Sequence, residues 1–352
     1  MAKKKVEQEG EIVGVNIDKE IISKYGESII LDASAVMDEA VQIIPVSPAI
    51  DIGLNGGIPE GSWFTLTGLA KRGKTTLALH FAAKCQLPEY GARPVFYINI
   101  EGRLKKMNLT GIKGLDISKM KIIGSTQGNI LSAEDYLAIA ETIASSIPNA
   151  VIIIDSYSAL CTESETTKGM DEQQRADGQK LLAKFCRRMA NVVPVNKTII
   201  IGITHLMGNP TGYGGDREKG GYAIAYQADV KLKAGALEKI TNKQGRQIGQ
   251  KVEWSVEVSA LGPPGAKIAS TIRYGVGIDE TAELIDLAVE LGVIEQKGSW
   301  FNFNPDMIES TDEAFAQKSQ GKDGLWDMLN NDRFVYEGVD KTIKKLLYSD
   351  KS

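Results

Sequence analysis

Cysteine is scarce in this chain, with three in 352 residues, Cys85, Cys161 and Cys186. They are far apart, odd in number and form no CxxC pair, which excludes a disulfide framework and predicts a reducing, intracellular setting, the cytoplasm. Only two histidines occur, His80 and His205, and neither has a second ligand type at metal-binding spacing along the chain. No run approaches the ~18 apolar residues that cross a bilayer, so no membrane partner is expected. The start MAKKK leads into no apolar stretch, so no signal peptide is expected either. Neither charge sign dominates: 41 basic side chains face 45 acidic ones. A net charge of −4 gives no global attraction for nucleic acid, and any such contact must rest on local patches.

What remains is the balance of an ordinary globular protein, 43% apolar and 24% charged, in a chain longer than one ~150-residue domain. Residues 1–45 are charged and then mildly helical, with a short strand expected at Ser28–Asp32 (SIILD) and a Gly- and Pro-rich lead-in over 45–61. From Ser62 apolar strands and helices alternate. WFTLT, PVFYINI, AVIIIDS and TIIIGITH read as strands. TTLALHFAAKC, stopped near Pro88, AEDYLAIAETIASSI and GQKLLAKFCRRMANVV read as helices. In the second helix Leu137, Ala140, Ile143 and Ala144 recur at helical spacing. Continuous apolar strands between helices predict an α/β fold, a mostly parallel sheet covered on both faces. KVEWSVEVSA and ASTIRY add strands, and from about 280 the text turns helical and polar. The division expected is an N-terminal segment 1–45, a core 46–280 and a small C-terminal α/β domain 281–352.

The stretch GLAKRGKT follows an apolar strand and opens a helix, the GxxxxGK[ST] phosphate loop. Gly68, Leu69, Ala70, Lys71, Arg72, Gly73, Lys74, Thr75 and Thr76 form the candidate nucleotide cradle. Backbone N–H groups and the helix N-terminus face phosphate oxygens, Lys74 reaches the β- and γ-phosphates, and Thr75 offers its hydroxyl to Mg²⁺. Such a loop needs a second acid, and Asp155, ending AVIIID, is the candidate metal carboxylate. Glu101 ends VFYINI, at the carboxyl edge where ligands sit in open α/β sheets, and is placed to deprotonate water. His205 ends TIIIGITH beside the expected γ-phosphate. Two loops leave the strands of Asp155 and His205. The second, 206–222, is glycine-rich and carries Asn209, Thr211, Tyr213, Arg217 and Lys219, a combination suited to phosphates and stacked bases. The first, about 161–175, has only Lys168 and Arg175 as cations.

These motifs together resemble the RecA/UvsX recombinase family over most of the chain. ISKYGESIILD is similar to the family's N-terminal segment that packs on a neighbouring subunit, and IIPVSPAIDIGLNGGIPEGSWFTLTG to its lead-in. YINIEG resembles the strand whose glutamate activates water, VIIIDSYSAL the second acidic strand, and TIIIGITH the strand whose terminal polar residue senses the γ-phosphate. That residue is Gln in RecA proteins and His in the phage branch, so His205 and the divergent C-terminus favour a bacteriophage version working in a bacterial host. The two loops fall where the family's DNA-binding loops fall, and IRYGVGIDETAELIDLAVELGVIEQKGSWFNF implies that Tyr274 and Gly275 lie beside adenine. The resemblance implies an ATP- and Mg²⁺-dependent, DNA-stimulated ATPase. It would form a helical homo-oligomer on single-stranded DNA and pair it with homologous duplex DNA, with single-strand-binding and loader proteins as possible partners. The family's basic pair that reaches a neighbour's γ-phosphate falls on Val258 and Ala260, neither of them basic, and Lys251 and Lys267 are the nearest cations. Two alternatives stay open here, a weakly hydrolysing RecA-like regulatory subunit and a hexameric helicase or motor on the same core.

Overall fold

The computed structural model describes residues 17–38, 40–167, 177–207, 217–219, 222–242, 244–308, 310 and 312–348. Residues up to Gln42 form one unit and Ile43–Ser352 another. In the first, helix α1 spans 17–25, a 3-10 turn spans Glu27–Ile29 and α2 spans Ala33–Asp38. The strand expected at Ser28–Asp32 is therefore corrected: a turn occupies its start, and residues 30–32 take no regular structure. An extended run becomes a strand only when another backbone takes its hydrogen bonds, and the described residues of this unit supply none.

The second unit begins with β1 (Ile43–Ile44), α3 (Pro48–Leu54) and β2 (Ile58–Pro59). Then follow β3 (Trp63–Gly68), α4 (Lys74–Cys85), β4 (Val95–Asn99), α5 (Lys106–Thr110), β5 (Met120–Ile123), α6 (Ala133–Ser146) and β6 (Val151–Asp155). After these come α7 (Glu163–Thr167), α8 (Asp177–Met189), α9 (Val192–Val195), β7 (Ile199–Met207), β8 (Arg217–Lys219) and α10 (Tyr222–Gln227). The long strands β9 (Val230–Thr241) and β10 (Gln247–Val258) lead to β11 (Lys267–Arg273), β12 (Gly277–Ile278) and α11 (Glu280–Glu290). The chain closes with β13 (Ile294–Lys297), β14 (Trp300–Phe303), β15 (Lys318–Gln320), α12 (Gly321–Asn331) and α13 (Arg333–Tyr348).

One large sheet has the order β12-β11-β10-β9-β3-β7-β6-β4-β5, with β8 paired to β7. From β9 to β5 the pairs are parallel, and β9 to β12 form an antiparallel extension. The central strands β3 and β6 are buried along their whole length on both faces, as helix-covered strands must be. Phe64, Leu66, Ile153 and Ile201 face α3 and α4 in one core. Trp63, Ile152, Ile154 and Ile200 face α6, α8 and α10 in the other. Helix α6 starts where Ser132 and Asp135 form a capping box, and its Leu137, Ala140, Ile143 and Ala144 are buried as their spacing predicts. A third core, Leu284, Phe301, Leu325, Val335 and Val339 among others, lies under the small sheet β13-β14-β15. With α11, α12 and α13 that sheet gives the C-terminal region the α/β character expected of it. The buried Glu283 of α11 accepts hydrogen bonds from Ser270 Oγ and, at 3.2 Å, from Ala49 N, tying this region to β11 and α3. Burial lifts its carboxyl to about 7.

Candidate functional site

The carboxyl ends of β3, β7, β6 and β4 lie side by side in the sheet, and each delivers one part of the site. After β3 the chain turns at Gly68 and again at Gly73, whose φ of 79° suits glycine and whose missing Cβ leaves room for Ile272. Helix α4 begins at the next residue, so its unpaired N–H groups open onto the turn. Lys74 is buried, and its Nζ donates to the carbonyls of Gly68 and Leu69, both at 2.8 Å. Desolvation pulls its pKa down to about 8, against the opposing charges of Asp155 and Glu101. A cation so poorly solvated gains much from an anion placed beside it.

Thr75 Oγ1 donates to Asp155 Oδ2 at 2.8 Å, and the buried Tyr97 hydroxyl donates to the same oxygen at 2.5 Å. Burial raises the Asp155 carboxyl despite both bonds. A buried carboxylate with a hydroxyl at its side is an oxygen donor set that suits Mg²⁺. Ligand atoms of Glu101, Asp155 and His205 also lie within 4.8 Å of one another. Along the chain His205 has no ligand neighbour at metal-binding spacing; in space two acids stand beside it.

Strand β4 ends at Asn99, two residues before Glu101, and the N–H groups of Ile100 and Glu101 both bond the Asp155 carbonyl (3.0 and 3.2 Å). This anchors Glu101 beside β6. Its Oε1 accepts from Ser156 Oγ at 2.6 Å and from His205 Nε2 at 2.7 Å, and its Oε2 lies 3.5 Å from Arg103 Nη1. Partial burial pushes the Glu101 carboxyl up, but these donors and charges outweigh it and hold it below the usual range. An ionised carboxylate only accepts, so His205 Nε2 carries the proton. The His205 backbone N–H donates to Ser158 Oγ at 2.8 Å, and in the ladder His205 pairs with Lys219 of β8.

Tyr274 and Gly275 follow β11, whose Ile272 abuts Gly73; Gly275 has φ 84°, and the Tyr274 hydroxyl accepts from Gln247 Nε2 at 2.7 Å. The Tyr274 N–H donates to the Ile248 carbonyl at 2.9 Å, and Gly275 lies against Gly111. Lys168, Arg175, Asn209, Thr211 and Tyr213 lie outside the described residues. Arg217 and Lys219 belong to β8, antiparallel to β7. The expectation of an unbroken loop over 206–222 is corrected at both ends, because Leu206 and Met207 continue β7 and the backbone at 217–219 returns along it. Likewise α7 occupies Glu163–Thr167 within the first loop. Val258 ends β10 opposite Lys231. The two nearby lysines are committed locally, Lys251 to Asp286 (3.4 Å) and Lys267 to Glu253 (3.6 Å). His80 lies on α4 against Glu280, at 3.1 Å.

Sequence reasoning assigned no role to Tyr97, Ser156, Ser158 or Arg103. Tyr97 left a signal, a hydroxyl inside an apolar strand two residues before its end. Ser156 directly follows the strand-end acid. Ser158 and Arg103 left none, because their partners are distant in sequence or their geometry is set by a loop.

A lysine buried in a glycine turn at a helix head, with an acid two strands away and a second carboxylate beyond it, defines a P-loop nucleotide hydrolase. The comparisons narrow that class. The RecA N-terminal domain model matches residues 13–279, and the RecA C-terminal domain model matches 282–348. Protein RecA of Desulfovibrio desulfuricans is 30% identical over 298 residues, 81% of this chain and 78% of the relative. Protein RecA of Oleidesulfovibrio alaskensis is 28% identical over 333 residues, covering 91% and 87%. Protein RecA of Acholeplasma laidlawii is 28% identical over 336 residues, covering 93% and 94%. The chain belongs to the RecA family. It is a recombinase and DNA-dependent ATPase that uses ATP with Mg²⁺, in a family whose members bind single-stranded DNA and self-assemble. Among the described residues no helix is long and apolar enough to cross a membrane.

Proposed function

We propose that the nucleotide bound at Gly68–Thr76 governs DNA binding through His205. One observation carries this: His205 touches the candidate base Glu101 with its ring and the roots of both candidate DNA loops with its backbone. Its N–H holds Ser158, in the turn leading to the first loop, and its ladder partner Lys219 closes the second. Lys74 and the turn's N–H groups bind the phosphates, and Thr75 with Asp155 holds Mg²⁺. Mg²⁺ bound there offsets charge on the phosphate oxygens. A γ-phosphate competes with Glu101 for the His205 Nε2–H. Drawing that proton away frees Glu101 Oε1 to accept one from the attacking water, and it shifts the strand that carries the second loop. ATP favours the DNA-bound state only by such a differential contact.

In this reading Lys168 and Arg175 of the first loop, and Asn209, Thr211, Tyr213, Arg217 and Lys219 of the second, grip the phosphates of a single strand, and Tyr274 with Gly275 receives the adenine. Residues 1–45 serve self-assembly, 46–280 form the ATPase core and 281–352 the C-terminal domain. Homologous duplex is the second DNA substrate, and single-strand-binding and loader proteins are the finer partners. The bacteriophage affiliation rests on His205, while the RecA C-terminal domain model matches 282–348 and the relatives named above are bacterial. The test is single-stranded DNA binding by fluorescence anisotropy, with and without a slowly hydrolysed ATP analogue. Binding should tighten at least tenfold with the analogue and weaken with salt as counterions are released. Equal affinity without nucleotide refutes the coupling.

A further inference from the structure

Phosphoryl transfer needs positive charge on the γ-phosphoryl oxygens beyond that supplied by the P-loop lysine and the metal, and an arginine often provides it. Four cations near this edge already have local partners. Lys74 is held inside the turn by two carbonyls. Arg72 donates to the Gly235 carbonyl at 2.8 Å, on the β9 side. Val258 and Ala260 carry no charge, and Lys251 and Lys267 pair with acids on neighbouring strands. Arg103 differs from all of these. It stands two residues beyond Glu101, after Gly102 turns the chain at φ 64° and before α5 begins at Lys106. Its side chain is 84% exposed, and among the described residues its one polar partner is Glu101 Oε2, at 3.5 Å. That oxygen is the one His205 and Ser156 leave free. The guanidinium therefore rests at the mouth of the site, on the carboxylate that faces the attacking water, on a flexible stem with nothing else to hold it.

We propose that Arg103 is a catalytic residue, a cation supplied by the same subunit that moves from Glu101 Oε2 onto the γ-phosphoryl oxygens as the transfer proceeds. In that step the water oxygen bonds to the γ-phosphorus and the bond from phosphorus to the β,γ-bridging oxygen breaks. The water proton passes to Glu101, and ADP and inorganic phosphate leave. Arg103 forms no covalent bond; it offsets charge on the phosphoryl oxygens and, by leaving, uncovers Glu101 Oε2. This assignment rests on the ATPase reading of the site.

The experiment compares the full-length wild type, Arg103→Ala and Arg103→Lys in a DNA-stimulated ATPase assay and in fluorescent-ATP titration. Arg103→Ala should lose turnover by roughly 10²-fold or more with ATP affinity within about threefold, and Arg103→Lys should recover part of the loss. A second measurement separates touching the phosphoryl group from steadying Glu101. In a Glu101→Gln background, Arg103→Ala should still weaken binding of ADP with aluminium fluoride by roughly tenfold or more. Turnover of Arg103→Ala within twofold of a hydrolysing wild type overturns the proposal and leaves the ATPase reading standing. So does an analogue affinity that depends on Arg103 only when Glu101 is present, which makes Arg103 a positioning residue. A wild type that binds ATP and does not hydrolyse it overturns the underlying reading and this assignment with it.

Discussion

Asp155 and Glu101 are neighbouring carboxylates at the carboxyl edge of one sheet, and their acidities move in opposite directions. Asp155 is buried and receives two neutral hydroxyls, so desolvation wins and its carboxyl rises. Glu101 is only half-buried and faces an imidazole, a hydroxyl and a guanidinium, so donors and charge win and its carboxyl falls. A buried acid short of positive charge favours a cation, whereas an ionised acid at a wet rim accepts protons from water. The environments push one pair of like side chains apart, which suits the proposed division into a metal holder and a base, the same logic by which other active sites separate two carboxyls.

Both acids share one neighbour. Lys74 is the buried cation whose pKa both acids raise. Lys74→Ala should leave them facing phosphate without the buried ammonium between, and turnover should fall by roughly 10³-fold or ATP binding be lost. A fluorescent-nucleotide titration with unchanged affinity, together with unchanged turnover, would remove the lysine from the site.

Replacing only the rim acid sharpens the comparison. Glu101→Gln keeps the shape and the His205 contact but cannot take a proton, so hydrolysis should drop by roughly 10²-fold or more while ATP-dependent DNA binding persists. The pH profile carries the same information. Because Glu101 is held below its ordinary value of 4.5, the acid limb of kcat should lie below that pH in the wild type. His205→Ala removes a donor and a charge, so the carboxyl should rise and the limb should move toward neutrality. The sign for stability is the same: the Glu101 contribution is complete above about 4.5 and is lost as pH falls through its depressed pKa. A limb that stays in place in His205→Ala would mean that the 2.7 Å contact contributes little to ionisation.

Much of this arrangement was legible before any coordinates. GLAKRGKT, the apolar strand ending in Asp155, and Glu101 after VFYINI each have local signatures, because phosphate cradles and strand-end acids are built from contiguous residues. Strands β3, β4, β6 and β7 announced themselves by unbroken apolar runs. Strand β9, reading VKLKAGALEKIT, did not, because it mixes lysines and glycine with apolar positions and gains its place by pairing with β3 and β10. The SIILD segment reads as a strand by composition, but a turn occupies its start and the rest takes no regular structure, since pairing and not propensity makes a strand. The sequence also named His205 without its partners. That the ring meets Glu101 and the backbone meets Ser158 depends on the lateral order β7-β6-β4, which no local pattern encodes.

The smallest expected effect tests the buried side of the comparison. Tyr97 lies in β4, and its hydroxyl shares Asp155 Oδ2 with Thr75. Tyr97→Phe keeps the ring in its core and removes one donor from a carboxylate that burial already disfavours. The loss of a buried hydrogen bond to a charged group should cost about 1–3 kcal/mol in urea unfolding. The Asp155 carboxyl should rise further, so at fixed pH less of it is ionised to hold the metal. The Mg²⁺ concentration for half-maximal ATPase should therefore increase a few-fold, and more at pH 6 than at pH 8, while kcat at saturating Mg²⁺ stays close to wild type. Rim substitutions predict the reverse pattern, a changed kcat with little change in metal demand. A Tyr97→Phe protein with unaltered Mg²⁺ dependence would show that Thr75 alone suffices to orient Asp155, and that the division of labour between the two acids owes nothing to the tyrosine.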